Sequence, residues 1–214
     1  MISSREFFMK KLLAVLPILS VSLMASHAFA DVTASALAKW DATAKKDTES
    51  SLVVTPMKSL SFQYAEGVKK FNSQSGAFDV TIQGQEGATD FTLTSKLINN
   101  TLSRTDDAST LDIGVAWNGE KLNKDSETTL IDTAKNVSAG LEGLAQNSAF
   151  AGKGRSSAQG DFEFTVETAK TDGQPVTNFE DLPDGTWDGE VAVQFNATWT
   201  IPDAVTPPEP NPRG

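Results

Sequence analysis

The feature that most constrains this chain is a period-two alternation of apolar side chains, repeated in short runs along most of its length. Leu60, Phe62 and Tyr64 alternate with polar residues, as do Phe78, Val80 and Ile82, then Phe91 and Leu93. Leu111, Ile113, Val115 and Trp117 form a cleaner set, followed by Asn118-Gly119. Phe162, Phe164 and Val166 alternate before Asp172-Gly173, and Val191, Val193, Phe195, Ala197 and Trp199 close the series on one face of a last strand. Successive side chains of a strand point to opposite faces, so such runs bury one face and wet the other. Asn-Gly and Asp-Gly supply the positive φ that tight hairpins need. Many short strands with turn signals between them predict an all-β sandwich of the immunoglobulin-like kind.

One stretch departs from this pattern. Ala134–Gly160 is rich in Gly, Ala, Ser and Asn, and Leu141, Leu144 and Ala145 have helical spacing, so the sequence predicts one short helix in a long connection. Residues 202–214 differ again. Thr206-Pro207-Pro208-Glu209-Pro210-Asn211-Pro212 reads as an exposed polyproline-like tail.

Residues 1–30 have the pattern of a secretory signal peptide. Arg5, Lys10 and Lys11 give a positive start, Leu12–Met24 is apolar, and Ala28-Phe29-Ala30 is the small-x-small pattern before a cut between Ala30 and Asp31. The apolar run is shorter than the roughly 20 residues that span a bilayer, which disfavours a membrane anchor. Cleavage removes the first 30 of 214 residues and leaves 184, enough for one domain with a real core.

Charge and missing residue types exclude whole classes of function. The full chain has 18 Lys+Arg and 28 Asp+Glu; without Arg5, Lys10, Lys11 and Glu6 the balance is 15 against 27, a net charge of −12. Nucleic-acid binding needs clustered cations, so no nucleic-acid partner is expected, and membrane-surface binding is disfavoured for the same reason. The one histidine, His27, lies in the signal, and the chain has no cysteine. The processed chain therefore carries no Ser-His triad, no Cys nucleophile, no His or Cys zinc site and no disulfide. No catalytic, cofactor or metal residues are expected.

Three features that invite a chemical reading are weaker than their structural ones. Gly152-Lys153 lacks the phosphate-loop spacing, since Asn147 and Gly154 stand where a Gly and a Ser or Thr belong. Asp181, Asp184, Asp188 and Glu190 do not have the spacing of a calcium loop and read as solvated turn acids. Trp117 and Trp199 are in phase with apolar strand faces and read as core. Trp187, between Gly185 and Gly189, is the one candidate for an exposed sugar-binding ring.

Residues 31–46 form the most telling segment. Val32, Ala34, Ala36, Ala38, Trp40, Ala42 and Ala44 fill every even position, while among the odd positions from Thr33 to Thr43 only Leu37 is apolar. Extended, these thirteen residues reach roughly 44 Å at about 3.4 Å per residue, more than twice an ordinary strand. Residues 47–51, Asp47-Thr48-Glu49-Ser50-Ser51, read as a polar hinge before a domain over residues 52–201. A long strand beside such a hinge can leave its own domain and complete another, with main-chain hydrogen bonds along a sheet edge and alternate side chains in pockets. That contact is heterologous and does not close, so repetition gives a filament. Two other readings stay open. The segment is the first strand of its own sandwich, or an amphipathic helix with Leu37, Trp40 and Ala44 on one face.

Several stretches also resemble a known family. They are Ala42-Thr43-Ala44-Lys45-Lys46-Asp47, Leu52-Val53-Val54-Thr55-Pro56, Phe62-Gln63-Tyr64-Ala65-Glu66-Gly67, Phe71-Asn72-Ser73-Gln74, Phe78-Asp79-Val80, Val193-Gln194-Phe195 and Ala197-Thr198-Trp199-Thr200. Together they resemble the major pilins of the Escherichia coli common pilus, or Mat fimbria, an alternative chaperone–usher system. The resemblance implies a pilin sandwich with an incomplete sheet, completed by the N-terminal donor strand of the neighbouring subunit. It implies a periplasmic chaperone, an outer-membrane usher and a tip adhesin subunit as partners, and passage through the periplasm to a cell-surface fimbrium. It also implies adhesion to host or abiotic surfaces and a part in early biofilm. Val191, Val193, Phe195, Ala197 and Trp199 would then border the groove that the donor strand fills. In such pilins the chain ends soon after the strand matching Glu190–Thr200; here Ile201–Gly214 continues. A monomeric secreted carbohydrate-binding module, with residues 31–46 inside its own sandwich and Trp187 on its surface, is the alternative from a different class.

Overall fold

The longest strand sets the frame of the fold. In the computed structural model, which describes residues 46, 47 and 49–202, Arg155–Thr171 runs as a single strand with buried and exposed residues alternating through its middle. Nine strands precede it among the described residues, the first eight being β1 (Leu52–Pro56), β2 (Tyr64–Ala65), β3 (Lys70–Phe71), β4 (Gln74–Gln83), β5 (Asp90–Asn99), β6 (Thr101–Arg104), β7 (Thr110–Trp117) and β8 (Glu120–Lys121). Then come β9 (Thr128–Asp132), a one-turn helix α1 (Asn147–Phe150), the long strand as β10, and β11 (Gln174–Val176), β12 (Trp187–Gly189) and β13 (Ala192–Thr200).

Among the described residues these strands make two main sheets. The larger has the order β1-β4-β10-β7-β6-β12, with β11 paired to β10 and β8 to β7. The smaller has the order β13-β5-β9, and the pairings within both sheets are antiparallel. Strand β10 pairs with β4 through its first part (Arg155↔Gln83 to Phe164↔Gln74) and with β7 through its second (Glu163↔Ala116 to Lys170↔Thr110). The inner faces meet in one core that takes Phe78, Val80 and Ile82 from β4, Phe91 and Leu93 from β5, Ile113, Val115 and Trp117 from β7, and Phe162 and Phe164 from β10. This is the all-β sandwich that the alternation predicts.

Local chemistry explains the turns. Asn118 and Gly119 have φ of 49° and 83°, and Asp172 and Gly173 have 50° and 76°. Two consecutive positive values are the signature of a two-residue hairpin turn whose twist matches its strands. They join Trp117 to Glu120 and Thr171 to Gln174.

The structure corrects four sequence expectations. Leu60 and Phe62 do not lie in a strand; only Tyr64–Ala65 pairs, with Lys70–Phe71. Pro56, which has no N–H, ends β1, and the chain leaves β4 there. The short helix is not at Leu141–Ala145 but at Asn147–Phe150. Gly140, with φ of 90°, and Gly143 disfavour a helix at the earlier position, and Leu141 and Leu144 are buried as a loop plug instead. The irregular connection ends at Gly154, since β10 already begins at Arg155. Val191 precedes the last strand, whose register slips between Ala192 and Val193.

Candidate functional site

Each sheet has one border strand on the side where residues 52–62 and 191–200 run. Strand β1 pairs only with β4, and β13 only with β5, among the described residues. An unpaired strand border presents a row of N–H and C=O groups ready to take another strand. Apolar side chains accompany these borders. Leu52, Val54, Leu60, Phe62, Val191, Val193, Phe195, Ala197 and Trp199 are all partly buried and pack against the core. Fully buried neighbours lie behind them, so these side chains form the rim of an apolar floor.

Strand β13 is well held on its inner side. Val193 pairs with Leu97, Phe195 with Ser95, Ala197 with Leu93 and Trp199 with Phe91. The Phe195 ring lies 5.3 Å from Phe78 and 5.9 Å from Phe162, both in the opposite sheet. The Trp199 ring lies 5.1 Å from Phe91, which stacks on Phe150 at 6.2 Å. On the outer face the Asn196 side-chain amide donates to Glu127 Oε1 at 2.6 Å, and the Thr94 hydroxyl donates to Glu127 Oε2 at 2.7 Å. Asn99 Nδ2 donates to the Glu190 carbonyl at 2.7 Å, and the Thr89 N–H donates to the Thr200 carbonyl at 2.8 Å, so both ends of the strand are fixed.

Electrostatics concentrate elsewhere. Arg104 donates to Asp107 Oδ2 and to the Asp184 carbonyl, both at 2.6 Å, and its guanidinium lies 5.9 Å from the centre of the Trp187 ring. Hydrogen bonds from Ser109, and then the charge of Arg104, hold the Asp107 carboxyl below its usual range. A hydrogen bond from Lys135, together with its charge, does the same for Asp132, which also caps the turn Thr133–Lys135.

Lys153 and the acids Asp181, Asp184, Asp188 and Glu190 are all exposed. Lys153 Nζ is 3.1 Å from Glu86 and both side chains are exposed. Glu180 pairs with Lys69, and the described residues contain no group of three or more His, Cys, Asp or Glu arranged to hold a metal. Trp187 is half-buried, with Arg104 over its ring and the Phe71 ring edge-on at 6.3 Å, so it is not an open stacking platform.

Val32, Ala34, Ala36, Ala38, Trp40, Ala42, Ala44 and the Ala30–Asp31 cleavage point lie outside the described residues, as do residues 203–214. Of the hinge, Asp47 accepts from the Ser50 N–H at 3.0 Å and the Ser50 hydroxyl at 2.6 Å, a compact polar turn just before β1. Sequence reasoning read Leu60, Phe62 and Tyr64 as one alternating run and missed that residues 57–63 lie outside any strand; Pro56, which ends β1, is the signal that marks it.

The family model described as Fimbrillin MatB matches residues 33–199. Two proteins named common pilus major fimbrillin subunit EcpA, one from Klebsiella pneumoniae subsp. pneumoniae and one from Escherichia coli K12, are each 50% identical over 194 residues, covering 89% of this chain and 98% of their own. The solved CooA pilin subunit from enterotoxigenic Escherichia coli matches with a TM-score of 0.46 at 15% identity, covering 69% of this chain and 88% of its own.

Proposed function

The chain belongs to the MatB fimbrillin family, and on that premise we propose that it polymerises by lending residues 31–46 to the open border of a neighbouring subunit. It is a structural subunit of a cell-surface pilus, self-associating and not an enzyme, as its half-identical relatives are named. The observation that carries the mechanism is β13, a border strand with half-buried Val193, Phe195, Ala197 and Trp199 along it. A strand added there gains main-chain hydrogen bonds, and alternate side chains cover the apolar rim. Val32, Ala34, Ala36, Ala38, Ala42 and Ala44 suit a narrow site, with Trp40 as the large anchor.

An exposed border of this kind is an aggregation hazard, so the subunit needs cover before assembly. A periplasmic chaperone would cover it first, and an outer-membrane usher would exchange that cover for the next subunit. A tip adhesin subunit would take the terminal position, and host or abiotic surfaces would be bound through the fibre, with a part in adhesion and early biofilm. The residues 1–30 signal supports the periplasmic route.

Trp40→Asp tests the mechanism. A buried carboxylate in the apolar rim is costly. The variant is expected to fold with its chaperone and to form no fibres under the electron microscope; fibres of normal length and number would overturn the reading.

A further inference from the structure

The polar residues just before β1 have the composition of a flexible link, yet the domain holds them fast. The Gln83 N–H donates to the Ser51 carbonyl at 2.8 Å, one rung beyond the β1–β4 ladder that starts at Leu52↔Ile82. Arg155 Nη1 donates to the Ser50 carbonyl at 2.8 Å, from 105 residues away in sequence. Strand β4 lies between β1 and β10, so this guanidinium reaches from the first residue of β10 across β4 to the chain entering β1. Asp47 closes the turn from the other side. Its Oδ1 accepts from the Glu49 N–H at 3.2 Å and the Ser50 N–H at 3.0 Å, and its Oδ2 accepts from the Ser50 hydroxyl at 2.6 Å. A short aspartate side chain bonded to N–H groups two and three residues on fixes a turn locally. Hydrogen bonds that involve a charged group are about twice as strong as neutral ones. Glu49, Ser50 and Ser51 are exposed, so polar bonds and not apolar burial keep them in place.

The surface under this turn is itself tied down. Gln83 Nε2 donates to the Lys153 carbonyl at 2.8 Å, and the Gly84 N–H donates to the Gly154 carbonyl at 2.9 Å. The Gln85 N–H donates to the carbonyl of Phe150, whose side chain is buried in the core, at 2.8 Å. The end of β4 and the entrance of β10 are therefore joined where Ser50 and Ser51 rest.

Resting on the strand-donation reading above, we infer that Asp47 and Arg155 are positioning residues of the fibre. They fasten Ser50 and Ser51 to the domain, so that each subunit passes residues 31–46 onward from a fixed base and the fibre resists bending. A free serine-containing link behaves as a random coil, and each subunit would swivel on the next. With Ser51 bonded to Gln83 and Ser50 to Arg155, that freedom is removed downstream of Asp47.

Electron microscopy of fibres from full-length chains reads this as persistence length. In Asp47→Ala and Arg155→Ala fibres it should fall by about twofold or more, because the link reverts to coil behaviour. Asp47→Asn keeps an acceptor and Arg155→Lys keeps a donor, so both should restore stiffness. The urea midpoint of the Asp47→Ala subunit should stay at the wild-type value, which separates a loosened link from a weakened sandwich. Arg155 also opens a core strand, so Asp47→Ala decides the question if Arg155→Ala does not fold. Unchanged persistence length in Asp47→Ala fibres would overturn the inference, and unchanged persistence length in Arg155→Ala fibres would overturn the part given to Arg155. Asp47→Ala subunits that fold yet form no fibres would overturn it as well, since the turn would then serve delivery of the segment and not stiffness. Trp40→Asp keeps the two claims apart: normal fibres from that variant overturn strand donation itself, whatever the bending of the Asp47→Ala fibres.

Discussion

The ring of Phe195, on the border strand of the small sheet, lies 5.3 Å from the ring of Phe78 in the large sheet. This contact and the 5.9 Å approach to Phe162 hold β13 down on the core beside the open border. Truncating a buried aromatic costs about 3–5 kcal/mol, and Phe195 is half-buried. Phe195→Ala should therefore destabilise the subunit by about 2–3 kcal/mol. Urea unfolding checks it, with a lower midpoint at unchanged slope.

Ser95 makes the opposite prediction. It is fully buried on the core face of β5, and its hydroxyl has no hydrogen-bond partner. An unmet buried hydroxyl costs about 1–3 kcal/mol. Ser95→Ala should raise the unfolding free energy by about 1 kcal/mol, seen as a higher urea midpoint.

Gly84 is a close-approach position. A Cβ there would meet the Gly152 carbonyl oxygen at 2.2 Å and the Ala149 carbonyl oxygen at 2.7 Å, both backbone atoms that cannot swing aside. The Gly84 N–H also donates to the Gly154 carbonyl at 2.9 Å, tying the loop after β4 to the entrance of β10. Gly84→Ala should cost about 1–3 kcal/mol in the same unfolding measurement.

Much of this was legible in the residues themselves. The runs at Phe78–Ile82, Leu111–Trp117 and Phe162–Phe164 announced β4, β7 and β10 because one face of each is wholly buried, and the Asn118-Gly119 and Asp172-Gly173 turns carry φ values that few other pairs adopt. The run at Leu60–Tyr64 misled for a physical reason. Alternation reports which side of an extended chain meets a core, not whether a neighbouring strand exists. Leu141 and Leu144 misled similarly, since two leucines three apart plug a core equally well from a turn. The Arg104–Trp187–Phe71 clamp joins residues far apart in sequence, which no local pattern reveals.

Stability should be flat across the neutral range and fall in acid. The carboxyls of Asp107, Asp132 and Glu142 are held below their usual values by hydrogen bonds, aided in the two aspartates by a nearby positive charge. A lowered carboxylate contributes stability that is present above its unfolded value and is lost as pH falls through its folded one. Lys69 and Lys135 are raised by Glu180 and Asp132, so their contribution is present below the usual 10.5 and is lost as pH rises through the raised value. Melting temperatures should be level from about pH 5 to about pH 9, dropping below about pH 4. A melting temperature that rises on acidification would contradict this assignment.

The central claim is that residues 31–46 of one subunit lie along β13 of the next. The chain has no cysteine, so introduced thiols report without background. One population of full-length chains carries Thr198→Cys, an exposed site on the outer face of β13; others carry Ser35→Cys, Leu37→Cys or Lys39→Cys, which share that face in an inserted strand. A disulfide forms only when the Cα atoms come within about 7 Å. After co-assembly and mild oxidation, the account predicts a disulfide-linked two-subunit species for at least one of the three pairings and none from any population alone. The absence of that species at all three positions, in fibres that have otherwise assembled, would contradict it.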